Sequence, residues 1–73
     1  MAQNVTICVG TLGQGIWRST DGGENWLRIK EGLYSESAVR ALVVHPRDSS
    51  VIFAGVDDGF YRSQDQGESW QRL

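Results

Sequence analysis

A chain of 73 residues with a net charge of −2 and one cysteine forms at most one small domain and no internal disulfide. Its seven basic residues are scattered, so neither nucleic-acid binding nor anionic-membrane binding is predicted. A chain of this size buries only about 60% of its unfolded surface, and we expect association or a longer parent protein to supply missing core. The start resembles no signal peptide, which favours a soluble protein, cytoplasmic by default.

The first half of the chain predicts three short strands. Residues 4–11 form a β-branched run that ends at Gly10 and Gly13, residues 16–19 form a second run, and residues 25–29 form a third. The connections are too short for parallel pairing, so the strands are expected to form antiparallel hairpins. Residues 31–37 then read as a polar loop.

The second half predicts four more strands. Residues 38–44 are the most continuously apolar stretch, and their β-branched content favours a strand buried on both faces, although a short helix fits the run as well. Residues 46–50 form a turn before a strand at residues 51–56. Further strands are expected at residues 60–64 and 69–73.

One eight-residue stretch occurs twice, 44 positions apart. The first octet is residues 19–26 (STDGGENW) and the second is residues 63–70 (SQDQGESW). Such a period indicates a repeat architecture, with residues 1–30 as one unit and residues 31–73 as the next. With four strands A to D per unit, the second unit is complete and the first lacks strand A, because four residues before Val5 are too few for it.

Each recurring residue of the octet has a structural interpretation. The aspartate can accept hydrogen bonds from backbone N–H groups a residue or two onward, and the serine hydroxyl can join that network. The glycine supplies positive φ, and the tryptophan enters the next strand and packs in the core. These structural positions are Ser19, Asp21, Gly23, Trp26, Ser63, Asp65, Gly67 and Trp70.

The octet resembles the Asp-box, or BNR repeat, Ser-x-Asp-x-Gly-x-Thr-Trp, of sialidases, sortilin-type receptors and photosystem assembly factors. Asn25 and Ser69 stand where that pattern has threonine. Residues 39–73 read like one full blade of the family. The resemblance implies an all-β fold of β-propeller blades, in which the box is a fold element between the third and fourth strands.

Two blades do not close a propeller, and repeat architectures need at least about three units for stability. The resemblance therefore predicts a homo-oligomer or a complementary propeller fragment as partner. Copies joined head to tail can close a ring, and three copies would give six blades, the number in the sialidase family, whereas dimers give four and tetramers eight. Without an added strand, three- and four-stranded blades would alternate around such a ring.

No catalytic residue, cofactor or metal site is predicted. The turn at residues 57–59 lacks the ligand spacing of a calcium loop, and the glycines of residues 10–15 lead into a strand where a phosphate loop leads into a helix. His45 ends a strand without a catalytic partner. Cys8, which aligns with Ile52 at the 44-residue spacing, fills a strand position as a small apolar side chain.

The favoured function is a non-enzymatic β-propeller building block that acts as a self-assembling binding scaffold. One alternative is a fragment of a sialidase-type glycoside hydrolase, although none of that family's arginine and tyrosine residues maps onto this chain. A second alternative is a lectin-like glycan binder that uses exposed Trp17 or Tyr61 as a stacking platform.

Overall fold

A computed structural model describes residues 5–34 and 36–73. The described chain is all-β, without a helix, and forms two antiparallel sheets. The first sheet has the order β1 (Ile7–Gly10), β2 (Ile16–Ser19) and β3 (Leu27–Arg28). The second sheet has the order β4 (Val39–Val44), β5 (Ile52–Val56), β6 (Gly59–Ser63) and β7 (Gln71–Arg72). All seven predicted strands are confirmed in their predicted order; β2 has the predicted bounds, β6 begins and ends one residue earlier than predicted, and the other five are shorter. Asn4 lies outside the described residues.

The glycine-rich segment after β1 is a hairpin loop, as predicted. The Thr11 hydroxyl donates to the Gly15 carbonyl oxygen at 2.8 Å and accepts from the backbone N–H of Gln14 at 2.9 Å. These local bonds satisfy polar groups that the strand ladder leaves unpaired. The matching turn between β5 and β6 uses Gly59 at φ 140°, a conformation that favours glycine.

The strands pair in the same register in both sheets, but the loop between the first two paired strands differs in length by one residue. Ile7 pairs with Ser19 in the first sheet, and Ile52 pairs with Ser63 in the second. Ile52 is therefore the equivalent of Ile7, and the alignment of Cys8 with Ile52 is wrong by one position. The cause is the loop between the two strands, which is one residue shorter in the second sheet. From β2 onward the 44-residue spacing holds.

We call the side of each sheet that carries Arg18 or Arg62 its front face and the opposite side its back face. The front face of the first sheet packs on the back face of the second, and Ile16, the front-face residue at the start of β2, is completely buried. The residues of this single core are Ile16, Ile29, Leu33, Val39, Ile52, Ala54, Val56, Tyr61 and Trp70, with Cys8 and Leu42 packed against it.

Strand β4 is not buried on both faces, and that prediction is wrong. Val39 is buried and Leu42 is half-buried, but Val43 is 57% exposed and Val44 is also exposed. The physical reason is that β4 is the edge strand of the second sheet, whose front face no other part of the described chain covers. The apolar run thus exceeds what the described chain itself can bury.

Strand β1 is the edge of the first sheet, and within residues 5–34 and 36–73 no strand pairs along its outer side. Among the described residues, a single bridge between Leu12 and Ala38 links the first part of the β1–β2 loop to the residue before β4. The Val39 N–H donates to the Thr11 carbonyl oxygen at 2.7 Å beside this bridge. The first sheet accordingly has three strands where the second has four.

Gly10 lies where the first sheet contacts β4 of the second, and replacing it with alanine tests this contact. A Cβ atom at Gly10 would lie 2.5 Å from Cγ1 of Val39. We expect Gly10→Ala to lower the free energy of unfolding by about 1 to 3 kcal/mol, because the buried side chain of Val39 must shift to accept the methyl group. Urea unfolding followed by tryptophan fluorescence measures this change.

Gly55→Ala is the matched control, because Gly55 is the equivalent of Gly10 in the second sheet. A Cβ atom at Gly55 would have no neighbour nearer than 3.6 Å, an ordinary van der Waals distance. Its unfolding free energy should stay unchanged or rise slightly, because alanine loses less backbone entropy than glycine on folding. Equal destabilisation by the two substitutions would contradict the packing of the sheets described above.

Candidate functional site

The first octet satisfies its own polar groups. The buried hydroxyl of Ser19 donates to Oδ1 of Asp21 at 2.7 Å and accepts from the Gly23 N–H at 2.9 Å. The same carboxylate oxygen accepts from the N–H groups of Glu24 at 3.0 Å and Asn25 at 2.9 Å. These donors lie three and four residues after the aspartate, so the expected spacing of one or two residues is wrong, although backbone N–H groups are the donors as expected.

The second octet repeats the same geometry. Ser63 donates to Oδ1 of Asp65 at 2.7 Å and accepts from the Gly67 N–H at 2.8 Å. Ser69 donates its backbone N–H to Oδ1 at 2.9 Å and its hydroxyl to Oδ2 at 2.5 Å. Serine here takes the place that the Asn25 side chain holds in the first octet, where Nδ2 donates to Asp21 at 2.8 Å.

Both tryptophans are tied back to their octets, yet only one is in the core. The indole Nε1 of Trp26 donates to the Gly23 carbonyl oxygen at 2.8 Å, and that of Trp70 donates to the Gly67 carbonyl oxygen at 3.0 Å. The two glycines have the expected positive φ, 104° and 91°. Trp70 is 3% exposed, which confirms the prediction, whereas Trp26 is only half-buried because no sheet within the described residues covers the back face of the first sheet.

The hydrogen bonds hold both aspartates in their charged form. Burial raises the pKa of Asp65, but hydrogen bonds from Ser69, Ser63 and the Glu68 N–H outweigh it and lower the pKa from 3.8 to about 2. The backbone and side-chain hydrogen bonds from Asn25 are the largest causes that lower the pKa of Asp21. A carboxylate with this many donors is a turn-stabilising acceptor.

The two aromatic residues considered for ligand stacking differ in their surroundings. Tyr61 is 6% exposed between the two sheets, and its hydroxyl donates to Oδ2 of Asp58 at 3.2 Å. The expectation that its ring is exposed for stacking is therefore wrong, because the first sheet covers it. Trp17 is the equivalent residue on the back face of the first sheet and is half-buried.

The described residues contain no group of three or more His, Cys, Asp or Glu side chains that could hold a metal ion. Burial raises the pKa of the Cys8 thiol, and the nearby Arg18 lowers it by less. His45 lies just after β4, where its Nδ1 accepts the Arg47 N–H at 3.1 Å. Over residues 5–34 and 36–73 there is also no helix long and apolar enough to cross a membrane.

The second octet is also where the two sheets are joined by hydrogen bonds. Nε of Arg18 donates to the carbonyl oxygen of Gln66 at 2.9 Å, and the Cys8 thiol lies 3.8 Å from the same oxygen. A Cβ atom at Gly67 would lie 2.7 Å from Sγ of Cys8, so the octet backbone lies directly on the first sheet. The loop therefore holds its own turn and also accepts a bond from the neighbouring sheet.

The front face of the second sheet is an open apolar surface. Phe60 is 71% exposed, whereas its equivalent in the first sheet, Ile16, is completely buried. We call this surface the open front face; its apolar residues are Ala41, Val43, Phe53, Phe60 and Leu73. An exposed apolar patch of this kind marks an interaction surface.

Arg62 lies beside the open front face and is the equivalent of Arg18. Its Nε is buried and has no hydrogen-bond partner among the described residues. Arg18, by contrast, donates its Nε to the octet of the adjacent sheet. A buried donor without an acceptor costs free energy, so the site of Arg62 has an unmet requirement for a carbonyl or similar oxygen.

Sequence reasoning missed the open front face, although a signal for it was present. Shifting the alignment by one residue between Gly10 and Ile16 makes Ile7 match Ile52 and Gly10 match Gly55. That alignment places Phe53 and Phe60 at positions whose counterparts are covered by the second sheet. The eight octet residues, in contrast, lie at the two turns where the sequence placed them, with Ser19 and Ser63 as the last residues of β2 and β6.

Searches against protein-family models, curated proteins and solved structures find no significant match to this chain. The resemblance to the Asp-box family therefore stays a prediction from the octets. The hydrogen bonds, the register and the open front face described above do not depend on it.

The Asp65 carboxylate should make stability depend on pH in the acid range. Its folded pKa, about 2, lies below the usual value of 3.8, so its contribution is present above about pH 4 and is lost as pH falls toward 2. Asp65→Asn should lower the free energy of unfolding at pH 6 by about 1 kcal/mol, because it removes the charge of the acceptor and replaces Oδ2, which accepts the Ser69 hydroxyl, with an NH2 group. Urea unfolding at pH 6 and at pH 2 measures both quantities.

The difference between the wild type and Asp65→Asn should shrink at pH 2, where the wild-type carboxylate is about half protonated in the folded state. Glu68→Gln removes an exposed charge from the same loop and serves as the control, with little change expected at either pH. A loss at pH 6 equal to that of the control would contradict the structural role of the carboxylate.

Proposed function

We propose that this chain is a non-catalytic β-propeller building block that acts as a self-assembling binding scaffold. The single observation that carries the proposal is the open front face, where Phe60 is 71% exposed while its counterpart Ile16 is completely buried. One sheet of the pair has a covered front face, and the same surface of the other sheet is uncovered. The octets support the propeller assignment through their resemblance to the Asp-box.

The energetics favour association. Fully burying one large apolar side chain contributes about 1.5 to 3 kcal/mol, and the open front face carries Phe60, Leu73, Val43 and Phe53. A small domain rarely gains more than about 3 to 5 kcal/mol from a single core, so covering this face is comparable in size to the whole stability of the chain. Among ring sizes, three copies with six sheets is the one that the resemblance favours.

Light scattering coupled to size-exclusion chromatography tests the proposal. We expect wild-type protein at micromolar concentration to have a mass above the monomer value of 8.1 kDa. Phe60→Asp should return the mass to the monomer value without unfolding the chain, because the substituted side chain is exposed in the monomer. Circular dichroism checks that the variant stays folded.

Leu27→Asp is the matched control. Leu27 is also an exposed apolar residue, but it lines a shallow depression between the first sheet and the second octet, away from the open front face. The Leu27→Asp variant should keep the wild-type mass. A wild-type chain that is folded and monomeric at these concentrations would overturn the proposed self-assembly.

A further inference from the structure

We infer that the open front face is covered by the back face of the first sheet of a second copy, with Nε of Arg62 donating to the carbonyl oxygen of Gly22 in that copy. This inference rests on the proposed function and adds the partner and its orientation. The contact is head to tail, since the front face of one copy meets the back face of the next. It is carried by an interface that the chain already contains.

The contact between the two sheets of one chain provides the template. There, the front face of the first sheet lies on the back face of the second, and Arg18 donates to the Gln66 carbonyl oxygen at 2.9 Å. Arg62 holds the place of Arg18 on the second sheet, but its Nε is buried without an acceptor among the described residues, so the side chain must turn outward to meet an oxygen of another copy. Repeating the template once more places the first octet of another copy over Arg62.

Gly22 presents its carbonyl group as Gln66 does. The two residues are 44 positions apart, and both have positive φ, 78° for Gly22 and 62° for Gln66. Their N–H groups donate to equivalent carbonyl oxygens. Gly22 donates to Val5, which precedes β1, at 3.0 Å, and Gln66 donates to Ser50, which precedes β5, at 2.9 Å. Gln66 is the one described non-glycine residue with positive φ, so the loop geometry is kept even where the residue type changes.

The back face of the first sheet also resembles the surface that already fills such a contact. The β-strand register makes Ile7 the equivalent of Ile52 and Val9 the equivalent of Ala54. Both second-sheet residues are buried against the first sheet, whereas Val9 is exposed and Ile7 is half-buried. The back face of the first sheet is therefore apolar at the same positions and has no covering sheet within the described chain.

The front face of the second sheet carries larger side chains than that of the first, which suits contact with a sheet that has one strand fewer. The first sheet has Cys8 and Ile16 where the second has Phe53 and Phe60, which are larger. In the template, β4 of the second sheet sends Val39 against Gly10, but the first sheet of an incoming copy has no strand equivalent to β4 within its described residues. Two phenylalanine rings supply volume that such a strand provides in the template.

Two variants that each block one face give a direct test. Phe60→Asp blocks the open front face, and Val9→Asp blocks the back face of the first sheet; both side chains are exposed in the monomer. Each variant alone should be limited to the monomer mass of 8.1 kDa, because a head-to-tail contact needs both faces. An equimolar mixture should form a heterodimer of twice that mass and nothing larger, measured by light scattering.

Several outcomes of the mixing experiment overturn the head-to-tail contact. Homodimers of the Val9→Asp variant would mean that two open front faces meet each other. Absence of a heterodimer while the wild type still associates would refute the inference and leave the proposed self-assembly standing. A monomeric wild type would overturn both. Leu73→Asp is a second front-face variant for use if Phe60→Asp does not fold.

Arg62→Met tests the hydrogen bond itself. Losing a bond from a charged donor should raise the dissociation constant of the heterodimer about tenfold when Arg62→Met is introduced into the Val9→Asp chain. The melting temperature of the monomer should not fall, because this Nε has no partner among the described residues. An unchanged dissociation constant would remove Arg62 from the contact.

Arg18→Met is the matched variant and should behave in the opposite way. Arg18 bonds within its own chain, so its loss should lower the melting temperature of the monomer. Arg18→Met is introduced into the Phe60→Asp chain, which is then mixed with the Val9→Asp variant. The dissociation constant of this heterodimer should rise much less than it does when Arg62→Met is introduced into the Val9→Asp chain. Equal effects of the two arginine variants on both measurements would contradict the division of roles.

Discussion

The fold depends on a carboxylate that accepts hydrogen bonds from its own loop. In each octet an aspartate gathers backbone N–H groups and a serine hydroxyl that a tight turn would otherwise leave unsatisfied. Because these bonds join residues at most four positions apart, the carboxylate network of the turn forms within the octet itself. This independence explains how the same loop recurs in a three-stranded and in a four-stranded sheet.

The same loop sets how two sheets meet. With the serine and aspartate occupied by the turn, the positive φ at the fourth position of the second octet leaves the Gln66 carbonyl oxygen to accept Nε of Arg18. The following glycine allows the octet backbone to lie on Cys8, where a Cβ atom would be 2.7 Å from the sulfur. Loop geometry and sheet packing are therefore linked through one backbone carbonyl.

Strand order and octet chemistry could be predicted from the sequence because both depend on local signals. The equivalence of β1 and β5 could not be predicted, because an ungapped alignment does not detect that the loop between Gly55 and Phe60 is one residue shorter. With a gap of one residue, Ile52 matches Ile7. The burial of each face could not be predicted either. Apolar side chains indicate that a face is suited to being covered, but exposed Val43 shows that the described residues leave this face open. Tyr61 and Trp17 hold equivalent places, yet only the ring of Tyr61 lies between two sheets.

The unequal number of strands in the two sheets is compatible with the proposed arrangement. Within the chain, a three-stranded sheet meets a four-stranded one, and Leu42 of β4 lies on the covered back face. In the proposed contact between copies, a four-stranded sheet again meets a three-stranded one, with Ala41 and Val43 of β4 on its front face. Every contact in such an assembly would contain one strand of the β4 type, which contributes its back face within the chain and its front face between copies.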